Sequence, residues 1–363
     1  MTVSCGIVGL PNVGKSTIFN ALTAAAAEQA NYPFCTIEPN VAVVDVPDTN
    51  LTTIHERIST QKVIPASLRV VDIAGLIAGA SKGEGMGNQF LANIRECDAI
   101  MQVVRCFSTP SIVREGPVDP VTDIQIIELE LILADLDTVA RAAERLRKKT
   151  RSGDKDAIVE FAIMERAKQV LSEDRLLRSE EWKDEEKDVL RPLCLMTIKK
   201  MLYVANVSDD DIDGSSEHTQ AVAKYAEESG ASWLAICGDL ECELRNMEPD
   251  DRDMFMADLG IEQLGLERLI KATYDLLDLQ TFYTAGEKEV RAWTVHKGWE
   301  APRAASVIHT DFEKKFIRAE IYSVEDLVEF NSEGAIKAAG KLRTEGRSYV
   351  MREDDICHFL IGP

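Results

Sequence analysis

Short apolar runs alternate along this chain with longer stretches whose apolar positions return every third or fourth residue. Val3 to Gly9 reads as a buried strand, a glycine-rich loop follows, and Ser16 to Ala27 carries apolar residues at helical spacing, a pattern that predicts strand, loop and helix. Further buried-strand candidates are Ala42 to Val46, Leu68 to Ile73, Ile100 to Cys106, Met201 to Asn206 and Ser232 to Cys237. Helical patterns fall between several of them. The expected fold class is therefore α/β, a mainly parallel sheet with helices on both faces.

The period changes between 122 and 196. Ile127, Leu131, Ala134, Leu136, Val139, Ala143 and Leu146 recur at helical spacing, Ser152, Gly153 and Asp154 supply a turn, and a second helix is expected over Asp156 to Leu171. This predicts an inserted antiparallel helical hairpin, with more helix around Glu180 to Leu190. Its tip gathers Arg141, Arg145, Arg147, Lys148, Lys149 and Arg151, either a solvated face or a nucleic-acid contact. After Leu279 short strands are expected at Arg291 to Val295, Ala305 to Ile308, Phe316 to Tyr322 and Ser348 to Val350, with helices at Ser323 to Phe330 and Ala335 to Lys341. The expected domains are 1–121 with 197–280 (nucleotide-binding), 122–196 (helical insertion) and 281–363 (a small α+β domain).

Composition narrows the function. A hydrophobic content of 45% suits packed cores, and a net charge of -21 disfavours a protein that coats DNA. The charge is uneven: residues 281–363 hold 12 Lys and Arg against 14 Asp and Glu, a net of -2 that leaves -19 for the remainder. The C-terminal segment can thus approach RNA without a large penalty. Eight cysteines form no C-x-x-C pair and read as scattered reduced thiols, which points to the cytoplasm. No apolar run reaches the ~18–20 residues of a membrane span, so no membrane partner is expected.

The chemistry begins at Gly9 to Ser16, GLPNVGKS. In such a P-loop, backbone amides close around the β-phosphate, Lys15 reaches the β and γ oxygens, and the Ser16 hydroxyl binds Mg²⁺. Asn12, Val13, Gly14, Lys15, Ser16 and Thr17 form the expected phosphate cradle. Asp72 ends a strand and opens D-I-A-G, so its carboxylate can hold Mg²⁺ through water while the Gly75 amide holds the γ-phosphate. Thr36, in NYPFCTIEPN, is the candidate switch residue and third metal ligand. Leu76 stands where many GTPases carry the water-positioning glutamine, and it can neither orient nor deprotonate water. The candidates to replace it are the glycine-rich stretch Ala78 to Asn88, a bound cation, the substrate phosphate and the loop after Cys106. Asn206, Val207 and Asp209 (NVSD) fall where guanine readers carry N-K-x-D; Asp209 favours guanine and Val207 opposes it, so the base stays open. Gly238, after the last strand, completes the nucleotide-binding set. Cys35 beside Thr36 is a candidate redox-sensitive thiol or an ordinary loop cysteine, and His309 and His358 read as structural.

GLPNVGKS, NYPFCTIEPN, DIAGLIAGASKGEGMGN and Asn206, together with FLANIRECDAI, LQTFYTAGEKEVRAWTV and AASVIHTDFEKKFIRAE, resemble the YchF subfamily of Obg-related translation-factor P-loop ATPases over essentially the whole length. The resemblance implies a GTPase-like domain, the inserted hairpin and a C-terminal β-grasp module, the TGS domain. It implies hydrolysis of ATP with GTP also tolerated, Mg²⁺ as cofactor, and a ribosome or ribosomal RNA as partner. Leu76 reproduces the hydrophobic residue that this family carries in place of the glutamine. Two positions depart from the pattern. Asp209 replaces the usual glutamate of N-x-x-E, and Arg114 stands where a histidine often helps position water. Arginine cannot act as a base near neutral pH, but it can stabilise γ-phosphate charge. Asn12 occupies the position that some relatives use to hold K⁺. The competing expectations are a nucleotide-gated binding module with incidental hydrolysis and a small-molecule P-loop kinase.

Overall fold

Apolar runs such as Ser4–Val8 and Ala99–Arg105 are buried along their whole length, as strands covered on both faces must be. The computed structural model describes residues 3–29, 40–73, 86–108, 117–151 and 153–362. In chain order the elements begin with β1 (Ser4–Val8), α1 (Lys15–Gln29), β2 (Val41–Asp45), α2 (Thr49–Arg57), β3 (Val63–Ile64), β4 (Ser67–Asp72), α3 (Met86–Glu96) and β5 (Ala99–Arg105). The long helices α4 (Pro120–Thr150) and α5 (Lys155–Ser172) follow, then α6 (Asp184–Leu190), β6 (Lys200–Asn206), α7 (Glu217–Glu228), β7 (Ser232–Ile236), α8 (Gly238–Arg245), α9 (Pro249–Asp258) and α10 (Gly265–Leu276). Next come β8 (Leu279–Ala285), β9 (Val290–His296), α11 (Ala301–Ala305), α12 (Phe312–Lys315) and β10 (Phe316–Ser323). The remaining elements are α13 (Val324–Phe330), α14 (Glu333–Ala338), β11 (Arg343–Glu345) and β12 (Asp355–Ile361).

Six strands form the first sheet in the order β2-β4-β1-β5-β6-β7. β1 pairs in parallel with β4 and β5, β5 with β6, and β6 with β7. The fold is α/β, as the alternating pattern predicts. One core cluster joins Val8, Ile100, Val104, Met201 and Ala205 of the sheet to Ile124, Ile127 and Leu131 of α4. α4 starts where Asp119 caps the amide of Thr122 and a proline takes the first turn. Its far half and α5 build a second cluster from Val139, Ala143, Ile163, Met164, Ala167 and Leu171. Between the two helices Gly153 has a φ of 79°, a left-handed turn that glycine adopts without strain, and the Asp154 carboxylate then caps α5.

The second sheet is mixed, in the order β11-β10-β12-β8-β9-β3. β10 runs antiparallel to β11 and β12, β12 parallel to β8, and β8 antiparallel to β9. Two expected strands are absent here. Ala305–Ile308 lies at the end of α11 and in the turn after it, because Pro302 sits in the first turn of a helix there. Val350 forms only an isolated bridge with Glu300. β8 and β12, which were not expected, take the central places.

The chain divides into two compact units, one of Val3–Ala42 and Arg69–Leu269 and one that joins Val43–Leu68 to the chain from Ile270 onward. The helical hairpin falls in the first unit together with β1, β5, β6 and β7 of the parallel sheet. Val43–Leu68 joins the second because β3 pairs with β9 and the Tyr283 hydroxyl donates to the Asp48 carboxylate at 2.9 Å. Among the described residues no helix is long and apolar enough to cross a membrane.

Candidate functional site

In an open parallel sheet the carboxyl ends of neighbouring strands face one crevice, where ligands of such folds bind. β1, β4, β6 and β7 here deliver the P-loop, Asp72, Asn206 and Gly238 to those ends. The loop after β1 turns on Asn12, at φ 64°, and Gly14, at φ 88°. A Cβ on Gly14 would fall 1.9 Å from Nδ2 of Asn206, so glycine is demanded twice, by the backbone and by the close approach. α1 then begins at Lys15, and the amides of its first turn have no partner within the helix, which makes them donors for an anion.

The Lys15 ammonium forms a hydrogen-bonded ion pair with Oδ1 of Asp72, both side chains being less than one-fifth exposed. Ser16, next in the chain, is exposed. Among the described residues no three His, Cys, Asp or Glu side chains form a metal cluster. The hydroxyl of Ser16 and the carboxylate of Asp72 are hard oxygen donors, too few to bind a cation by themselves. They suit Mg²⁺, which keeps several waters and is held by one or two protein oxygens together with substrate phosphates.

Asn206 ties the site together. Its Nδ2 donates to the Val13 carbonyl at 3.0 Å, its Oδ1 accepts from the Gly238 amide at 3.1 Å, and its carbonyl accepts from the Cys106 amide at 2.9 Å. Gly238 is packed so closely that an added Cβ would lie 3.2 Å from Ile18 and 3.4 Å from Thr17. One helix over, Arg245 donates to the Ala21 carbonyl at 2.7 Å, which holds α8 against α1. Val207 is buried in the core and its amide donates to Ile236 at 3.0 Å. Its side chain therefore positions the loop from inside. Asp209 is exposed at the start of a short 3-10 turn, Asp209–Asp211.

Beneath that turn Asp211 accepts from the Ser216 amide at 2.7 Å and the Thr219 hydroxyl at 2.6 Å. Burial pushes its carboxyl up, but the donors from Ser216 and Thr219 outweigh burial and hold it below the usual range. Burial also raises the Cys237 thiol and pushes Cys106 up to about 12, so neither thiol offers a thiolate near neutral pH. Sequence reasoning missed the Asp211 scaffold and the Arg245 strut. Ser216, in an N-cap position ahead of a helical pattern, was a usable signal for the former; a side chain bonded to a backbone carbonyl, as Arg245 is, leaves none.

Asn12, Val13, Gly14, Lys15, Ser16, Thr17, Asp72, Asn206, Val207 and Gly238 thus lie in or beside this cluster of strand ends, and Asp209 follows it by one turn. Cys35, Thr36, Gly75, Leu76, Arg114 and residues 78–85 lie outside the described residues.

Comparison with known proteins adds to this geometry. Residues 4–136 match a family profile described as "50S ribosome-binding GTPase", and residues 279–362 match the profile of the C-terminal region of YchF GTPases, described as a protein of unknown function. The chain is 50% identical over 360 residues to the "Ribosome-binding ATPase YchF" of Haemophilus ducreyi, covering 99% of each chain. It is 48% identical to the protein of that name from Escherichia coli O157:H7, over 100% of each. Among solved structures it resembles the Schizosaccharomyces pombe YchF GTPase, at a TM-score of 0.90 and 39% identity, covering 99% of this chain and 98% of that one.

Proposed function

Because the chain belongs to the YchF family of P-loop ATPases, we propose that it is a Mg²⁺-dependent ATPase switch whose nucleotide state sets its affinity for the ribosome. The observation that carries this reading is the meeting of Lys15 with Asp72 at the carboxyl ends of adjoining strands, beside a P-loop braced by Asn206. Lys15 and Asp72 neutralise each other here; a nucleotide would draw the ammonium to phosphate oxygens and free the carboxylate to face a cation. Ser16 and Asp72, with Thr36, would hold the Mg²⁺, which when bound would neutralise charge on the β and γ oxygens. The P-loop amides bind and orient the phosphates, the Gly75 amide would hold the γ-phosphate, and Arg114 would stabilise charge on it. Asn12, exposed on a left-handed backbone, is the residue toward a K⁺ ion.

ATP is preferred in this reading and GTP is accepted, with Asn206, Asp209 and Gly238 on the base side and the buried Val207 holding their loop in place from inside. A specific feature favours the alternative, a GTP-preferring enzyme: Asp209 is the shorter acid found in guanine readers. The C-terminal unit is read as the TGS module, and a ribosome partner would place the chain in the cytoplasm. The name of the YchF relatives supports ribosome association; the switch itself rests on the P-loop and Asp72 pairing. Single-turnover release of γ-phosphate, with and without ribosomes and with Mg²⁺ or a chelator, tests it. Ribosome stimulation and loss of hydrolysis on chelation are expected. A flat, negligible rate under every condition would leave only a nucleotide-gated binding module. Equal rates in K⁺ and Na⁺ would remove the role given to Asn12.

A further inference from the structure

α9 presents apolar side chains that its own unit leaves in solvent. Met254, Phe255 and Leu259 are 62%, 38% and 45% exposed, and no residue of the helix is fully buried. Phe255 and Leu259, four residues apart, share one face, while Met256 is half-buried and packs with Ile261 against the core cluster. Around them Glu248, Asp250, Asp251, Asp253, Asp258 and Glu262 are all exposed, with Arg252 the single cation between Glu248 and Glu262. Leu259 also forms one wall of an open cavity of about 430 Å³ shared with Gly260, Glu262, Ile212 and Asp213. The Arg268 guanidinium on that wall is directed to the Ala235 carbonyl at 2.9 Å.

We propose that this face docks a basic protein segment bearing large apolar side chains, offered by a ribosomal protein and not by ribosomal RNA. The inference rests on the ribosome reading above. Six carboxylates around the helix repel a polyanion at short range. A purely polar cation would leave Phe255 and Leu259 in water, and a purely apolar surface would strip the carboxylates of solvent without pairing them. Only an occupant with both features satisfies the face, and a ribosome offers that combination in its basic proteins. An apolar anchor seated in the cavity would touch Ile212 and Asp213, which directly follow the turn that carries Asp209. Docking there would bear on the base side of the nucleotide site.

The test uses the full chain and purified ribosomes. Sedimentation in ATP compares the wild type with Phe255→Ser/Leu259→Ser and with Asp251→Asn/Asp258→Asn, while a photo-crosslinking benzoylphenylalanine replaces Met254 in an otherwise unchanged chain. The expected result is at least tenfold weaker ribosome binding by the first pair and severalfold by the second, unchanged basal hydrolysis in both, and crosslinks to ribosomal protein. Undiminished binding by both pairs, or crosslinks to RNA, overturns the proposal while ribosome binding by the wild type stands. A wild-type chain that does not sediment with ribosomes overturns the ribosome reading, and this one with it.

Discussion

At the residue scale the phosphate cradle is the most legible part of the molecule, because its requirements are local. Gly14 must be glycine for a φ of 88° and for the approach of Asn206. Gly14→Ala is expected to weaken ATP binding at least a hundredfold, and titration of a fluorescent ATP analogue checks it. The same distance argument explains what sequence could not reveal. Asn206 was readable as the head of a base motif, but its bond to Gly238 spans 32 residues, and no local pattern marks it. Asp211 belongs to the same hidden class and carries a pH signature. Its folded carboxyl lies below the ordinary value, so its stabilisation is fully present above about pH 4, the unfolded value, and is lost as pH falls through the lower folded value. Asp211→Asn is expected to cost about 1–3 kcal/mol near neutrality and to flatten the loss of stability on acidification. Melting temperatures of both proteins between neutral pH and pH 3 would show it, and parallel curves would contradict it.

At the element scale, the helical period marked the hairpin and the continuous apolar runs marked the parallel strands. The C-terminal sheet was harder. β8 and β12 are ordered by pairing with partners far along the chain, and Ala305–Ile308 has strand-like composition yet follows a proline-started helical turn. What fastens the hairpin's base to the sheet was also invisible in sequence. Glu128 of α4 accepts from Arg178 at 2.5 Å and from Tyr225 of α7 at 2.6 Å, and it bonds the Tyr203 hydroxyl of β6. Arg178 and Glu128 are at most 7% exposed, and breaking such a buried pair costs far more than an exposed one. Glu128→Gln is expected to destabilise the protein by about 3–5 kcal/mol because it leaves the guanidinium buried without its counter-charge. Adding Arg178→Leu to that variant should recover part of the loss. Urea midpoints of the three proteins would decide it; a double variant no better than the single one would contradict the account.

At the scale of the whole molecule, sequence order and spatial grouping part ways. Val43–Leu68 belongs to the C-terminal unit, where Leu51 and Ile54 of α2 are buried. A chain lacking residues 281–362 is therefore expected to expose that segment and to be cut within it by protease, while the full chain resists; equal resistance would contradict the grouping. The first unit carries the nucleotide site, and its choice of base decides what the protein hydrolyses. Calorimetric titration of MgATP and MgGTP into the full chain and into Asp209→Ala tests it most directly. ATP is expected to bind the wild type more tightly than GTP, and Asp209→Ala to weaken GTP more than ATP. GTP binding tenfold or more tighter than ATP, a difference of about 1.4 kcal/mol, would contradict it.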